Sequence, residues 1–122
     1  MTDVRFPAMR QQTMTALAAL ADRDYQQRVW IAREYPREGF YDDLTLNVNT
    51  LYDMVLPDPR SRLGVVLRND TEVARLTDLE QLLGPLVDDL GDASDQQYLS
   101  DPRWNEVVAA AATALSAMKA NE

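Results

Sequence analysis

Carboxylates are the one class of side chain in this sequence whose clustering suggests chemistry of its own. Asp42 and Asp43 are adjacent, with Glu34 and Glu38 close by, and such a set could gather Mg²⁺, a hard cation that takes oxygen ligands. A carboxylate-based hydrolase of that kind would pair its acids three or four residues apart on two facing helices. Glu34 and Glu38 instead flank Pro36, which pushes the residue before it out of the helical region, so a shared helix face is not expected. The plainer reading makes Asp42 or Asp43 a helix cap and leaves the glutamates in water. A second run, Asp88, Asp89, Asp92 and Asp95, suggests Ca²⁺. Counted from Asp89, however, an EF-hand loop would need Gly sixth and Glu twelfth, where Ser94 and Ser100 stand. That run reads as a solvated acidic turn.

Other chemistries lack their residues. The chain has no histidine and no cysteine, so Ser-His-Asp and Cys-His nucleophilic systems cannot be built and the usual zinc sites are missing. Its single lysine, Lys119, lies three residues from the end, a frayed place for a Schiff base. The four glycines are isolated, with no phosphate-binding loop and no GxGxxG. No catalytic residue, cofactor or metal ligand is assigned.

A different segment suggests recognition. From Trp30 to Asp43 the chain places Trp30, Tyr35, Phe40 and Tyr41 among four acids, Glu34, Glu38, Asp42 and Asp43, and two arginines, Arg33 and Arg37. Aromatic and Arg side chains dominate interface hot spots, and surrounding acids select a basic partner. We take Glu34, Tyr35, Glu38, Phe40, Tyr41, Asp42 and Asp43 as candidate partner-binding residues. The competing reading makes the aromatics anchors that pin a loop onto the core. The same residues can serve both ends, one face buried and one exposed.

Charge supports the choice of partner. Twelve basic against twenty acidic residues leave a net charge of −8. Phosphate backbones reward basic surfaces, so neither nucleic acid nor an anionic membrane is an expected partner, whereas a basic protein is. The absence of cysteine, of a signal-like apolar run in the first residues and of any stretch of ~18 apolar residues leads to an expectation of a cytoplasmic protein.

The elements that must position these residues read as helices. At 122 residues, 46% of them hydrophobic, the chain fits one domain with one core. Pro7 suits a first helical position, and Met9, Thr13, Ala16, Leu17 and Leu20 share a face. Asp22 or Asp24 caps a second helix carrying Tyr25, Val29, Trp30 and Ala32, expected to end near Tyr35. Residues 36 to 41 form a loop. Asp42 or Asp43 then starts a third helix, with Leu44, Val48, Leu51, Tyr52 and Val55 on one side. Pro57 and Pro59 stop it, and a short turn runs to Gly64. Asn69 or Asp70 opens a long helix with Val73, Leu76, Leu79, Leu83, Leu86 and Leu90 in phase. Gly84-Pro85 within it predicts a kink, or two helices nearly end to end. Asp101-Pro102 begins the last helix, whose stripe is Trp104, Val107, Val108, Ala111, Leu115 and Met118. The expected fold is all-α: one domain, residues 1–122, of five or six helices, with a Pro-kinked long helix near 71–90.

Four stretches carry a resemblance: Arg28-Val29-Trp30-Ile31, Gly39-Phe40-Tyr41-Asp42-Asp43-Leu44, Leu51-Tyr52-Asp53, and Tyr98-Leu99-Ser100-Asp101-Pro102-Arg103-Trp104. Through them the chain, from about Arg28 to Met118, resembles an uncharacterised family of small acidic actinobacterial proteins. More loosely, the Leu-Tyr-Asp helix, the leucine-rich helix and the terminal Asp-Pro-x-Trp helix look like the layout of immunity proteins from contact-dependent bacterial toxin systems. Neither resemblance assigns a catalytic or binding residue. An interaction module, in its immunity form an inhibitor of a basic toxin, is the leading expectation. A homodimeric structural or regulatory protein comes second and a Mg²⁺-dependent hydrolase last.

Overall fold

Helix starts follow short-range chemistry throughout. In the computed structural model, which describes residues 4–122, α1 spans Pro7–Leu20 with the proline in its first turn. Helix α2, Arg23–Tyr25, is capped by Asp22, whose carboxylate accepts the Tyr25 N–H at 3.0 Å. It continues as a π-helical stretch, Gln26–Ile31. Asp43 caps α3, Leu44–Met54, accepting the Leu46 N–H at 2.7 Å. A 3₁₀ turn, Pro59–Arg62, follows the proline break. Asn69 caps α4, Asp70–Leu90. A reciprocal Ser94–Gln97 capping box starts α5, Asp95–Ser100, and α6 covers Trp104–Lys119. Met1 to Asp3, part of the expected 1–122 domain, lie outside the described residues.

The architecture is all-α, one domain around one apolar core. Helix α6 packs against both α1 and α4, and α1 also packs against α3. Ala111 and Ala114, fully buried, let the neighbours of α6 approach closely. Leu17, Leu51, Leu76, Leu79, Leu83, Leu86, Trp104 and Met118 are fully enclosed, and truncating any such leucine to alanine costs roughly 2–5 kcal/mol. No helix is long and apolar enough to cross a membrane among the described residues.

Several boundaries shift for identifiable reasons. The second helix ends at Ile31 rather than near Tyr35, because Arg33 turns left-handed (φ 58°) and the Glu34 N–H returns to the Arg28 carbonyl at 2.8 Å. Helix α4 is one continuous helix with Pro85 inside it, not two. Proline removes one donor, but the apolar phase runs on through Leu83 and Leu86, both fully buried. Helix α6 starts two residues later than expected: Asp101 accepts the Arg103 N–H at 2.9 Å and closes a turn ahead of the helix. Val108 and Leu115 of its expected stripe are only half-buried, and Ala114 joins it instead.

The end of the chain, read as frayed, is tied down by a buried ion pair that the apolar pattern did not reveal. Arg10, 2% exposed, grips Glu72, 0% exposed, through two parallel hydrogen bonds of 2.7 and 2.8 Å. Its guanidinium also donates to the Val66 and Met118 carbonyls, each at 3.1 Å, and to Glu122 at 3.1 Å. Asn121 donates to the same Glu72 carboxylate at 2.6 Å. Burial alone would raise the pKa of Glu72. Hydrogen bonds from Arg10, the Arg68 backbone and Asn121 together outweigh it and hold the carboxyl below its ordinary value.

Candidate functional site

The aromatic segment begins inside the core. The π-helical stretch buries Gln26, Val29 and Trp30 together. Gln26 turns its amide to good account: Nε2 donates to the last carbonyls of α1, Ala19 at 2.9 Å and Leu20 at 2.8 Å, while Oε1 accepts the Trp104 indole N–H at 2.9 Å. Trp30 and Trp104 meet edge to face, with ring centroids 6.5 Å apart. Sequence thus enters the loop from a fixed point.

It leaves the loop from another. Asp42 is 8% exposed, and its carboxylate accepts the Tyr25 hydroxyl at 2.7 Å, the Trp30 indole N–H at 2.8 Å and the Asn47 amide at 2.8 Å. Three donors replace water around a buried charge, which is how such a charge becomes tolerable. Asp42, read above as a cap, a metal ligand or a partner contact, is therefore the bracket that holds the loop to α2 and α3. The cap is Asp43. Burial, then the bond to Asp42, raises the Tyr25 hydroxyl well above its ordinary value.

Between these anchors the aromatic rings emerge at the surface. Tyr35 packs against Phe40 (centroids 6.1 Å) and Tyr41 (5.8 Å). Phe40 and Tyr35 are half-buried, whereas Tyr41 is 60% exposed. The Arg37 guanidinium lies 5.2 Å from the Phe40 ring centroid. Tyr41 donates its hydroxyl to Asp43, and that bond, followed by local desolvation, pushes its pKa up to about 12. Glu34 and Glu38 point their charge at solvent, as exposed residues. Of the seven candidate residues, the structure gathers Tyr35, Phe40, Tyr41 and Asp43, leaves Glu34 and Glu38 on the loop's outer side, and withdraws Asp42 into the core.

Two concavities flank the loop. One, of about 350 Å³, is lined by Tyr25, Phe40, Tyr41, Asp22, Asp42 and the α1 residues around Ala18. The other, also about 350 Å³, includes Arg33, Tyr35, Tyr41, Asp43 and Asp95. Asp95 accepts the Leu44 N–H at 3.1 Å, and burial raises its pKa. Among the described residues no three acids come together in an arrangement that could hold a metal ion. Asp22, Asp42, Asp43 and Asp95 are instead committed to caps and hydrogen bonds.

Sequence reasoning missed Tyr25, Gln26 and Asn47 as parts of the site. The signal was present: Gln26 and Asn47 are polar residues on faces otherwise taken by Val29, Trp30, Leu44, Val48 and Leu51, and a polar group on a buried face requires a partner.

A family model described as a domain of unknown function (DUF7945) matches residues 4–122. No curated protein and no solved structure matches the chain.

Proposed function

The chain belongs to the DUF7945 family, and we propose that it is an acidic helical protein–protein interaction module that binds a basic partner through the 33–43 loop. One observation carries this reading: Tyr41 is 60% exposed, yet the next residue, Asp42, is 8% exposed and held by three donors. A large aromatic displayed on a braced support meets the conditions of a hot spot, because little conformational freedom remains to be lost on binding. Glu34, Glu38 and the net charge of −8 supply the complement to a basic surface.

Inhibition of a basic toxin, in the manner of an immunity protein, is the finer form of the proposal. Its support is the charge together with the likeness of helix layout noted in the sequence. An actinobacterial source rests on the quoted sequence stretches, and a cytoplasmic location fits a chain without cysteine. A homodimer is the second reading, favoured by Leu46, 48% exposed beside the same loop.

The test is capture of partners from the native extract by the tagged protein, at low and at high salt, paired with Tyr41→Ala. The expected result is one stoichiometric basic partner, lost at high salt and weakened by the substitution. Absence of any partner at either salt, with a dimer in sedimentation, would overturn the proposal in favour of the homodimer.

A further inference from the structure

The concavity between α1 and the loop has a composition that selects a ligand. Its walls include three aromatic side chains, Tyr25, Phe40 and Tyr41, and two carboxylates, Asp22 and Asp42. Among the described residues no basic side chain lines it. Aromatic faces carry a negative quadrupole and attract cations, most strongly where water is excluded. Two of the three rings are further enriched: Tyr25 donates its hydroxyl to Asp42, and Tyr41 donates its hydroxyl to Asp43. A phenol that leans its proton toward a carboxylate acquires part of the phenolate's electron density, which strengthens the attraction of its ring for a positive charge.

The molecule already displays this chemistry once. Arg37 holds its guanidinium 5.2 Å from the Phe40 centroid, so a ring of this pocket takes an arginine of the chain's own. A volume of about 350 Å³ is ample for one further side chain and lies at the small end of the range for larger ligands. Planarity favours guanidinium over ammonium, since a flat cation stacks on rings while its N–H groups reach carboxylates.

We infer that this pocket is a cage for the guanidinium of an arginine side chain presented by the basic partner. Tyr25, Phe40 and Tyr41 supply the aromatic faces, and Asp22 and Asp42 the negative charge. The inference rests on the interaction reading above and names the chemistry that reading would recognise. The floor of the cage is held before any ligand arrives, because Asp42 is fixed by Tyr25, Trp30 and Asn47. Next to it, a shallower groove of about 570 Å³ runs along α1 to the exposed Leu46, sharing Thr15, Asp42 and Asn47 with the cage. It gives the residues beside that arginine an apolar surface to lie on.

Argininamide is the probe, with citrullinamide as its uncharged isostere, and the readout is the aromatic-ring NMR spectrum of the intact chain. Argininamide should shift the Tyr25, Phe40 and Tyr41 signals saturably, with citrullinamide at least about tenfold weaker. Tyr41→Ala, at an exposed position, should weaken argininamide binding while the remaining spectrum stays that of the folded protein. Tyr25→Phe, which keeps the ring but loses the hydroxyl bond to Asp42, should weaken argininamide binding less than Tyr41→Ala does. Equal shifts from the two amides, or none from either, would overturn the cage. The titration uses no partner, so its failure leaves the interaction reading standing. That reading falls instead if Tyr41→Ala leaves capture of the basic partner unchanged.

Discussion

The indole of Trp30 and the carboxylate of Asp42 are joined by a hydrogen bond of 2.8 Å that closes the 31–41 loop over twelve residues. Both groups are buried, at 4% and 8% exposure. Asp42→Ala leaves the Trp30 N–H without its acceptor in an enclosed setting. It also removes the acceptor of the Tyr25 hydroxyl and one of the two acceptors of the Asn47 amide. The expected loss is roughly 3 kcal/mol, a fall in Tm on the order of 10 °C. Asp43→Ala removes a cap and the exposed acceptor of the Tyr41 hydroxyl, and about 1 kcal/mol is expected. Thermal unfolding of the two variants side by side checks the order. Equal losses would deny Asp42 its bracing role.

The sequence disclosed helices far better than it disclosed this bracket. Caps, prolines and the 3.6-residue apolar period act over a few residues. The caps of α2 and α4 could therefore be narrowed to Asp22 or Asp24 and Asn69 or Asp70, and the long leucine phase of α4 could be read directly. Asp42 meets Trp30 across 12 residues and Arg10 meets Glu72 across 62, and no local pattern announces either pairing. Arg10 came nearest to being legible: it falls on the face of Thr13, Met14 and Leu17, all buried, where a charge demands a partner. The loop was ambiguous for a related reason. Its aromatics are split between core (Trp30) and surface (Tyr41), and composition cannot say which ring goes where.

The Arg10–Glu72 pair makes an asymmetric prediction. Glu72→Ala leaves a guanidinium that is 2% exposed with only the more exposed Glu122 carboxylate to balance its charge, and breaking a buried pair from one side costs about 3–5 kcal/mol. The chain should unfold at much lower urea. Arg10→Met/Glu72→Met, which removes both charges, should recover part of that loss, while the Val66 and Met118 carbonyls remain without their donor. Double-variant stability at or below that of Glu72→Ala would contradict the pairing.

Acid should expose the same pair. Glu72 has its pKa lowered in the fold, so its contribution is complete above the ordinary glutamate value near ~4.3 and is lost as pH falls through the lower folded value. Stability of the natural chain should therefore drop across that acidic window. Glu72→Gln, less stable at neutral pH, should show a flatter dependence there. Urea midpoints measured from pH 6 downward test the slope, and parallel curves would rule the carboxyl out as its source.

Arg33 offers a prediction in the opposite direction. Its φ of 58° lies where side chains are disfavoured, at the position after a helix that glycine usually fills. The Glu34 N–H to Arg28 carbonyl bond requires that turn. Arg33→Gly should stabilise the chain by about 0.5–1 kcal/mol, read as a higher urea midpoint. A lower midpoint would mean that the arginine side chain contributes more than its backbone costs.

Tyr41 separates recognition from stability. At 60% exposure its ring contributes little to the core, so Tyr41→Ala should leave Tm within a few degrees, as for most surface substitutions. Its removal from an interface centre should still weaken partner binding by at least about tenfold, the scale of a modest hot spot. Phe40→Ala should differ, because Phe40 is half-buried against Tyr35: both stability and affinity fall. Affinity and Tm measured on the same preparations distinguish the two residues. If Tyr41→Ala lowers Tm as much as Phe40→Ala does and leaves affinity intact, the loop aromatics serve the fold, and the binding face must be sought elsewhere on the acidic surface.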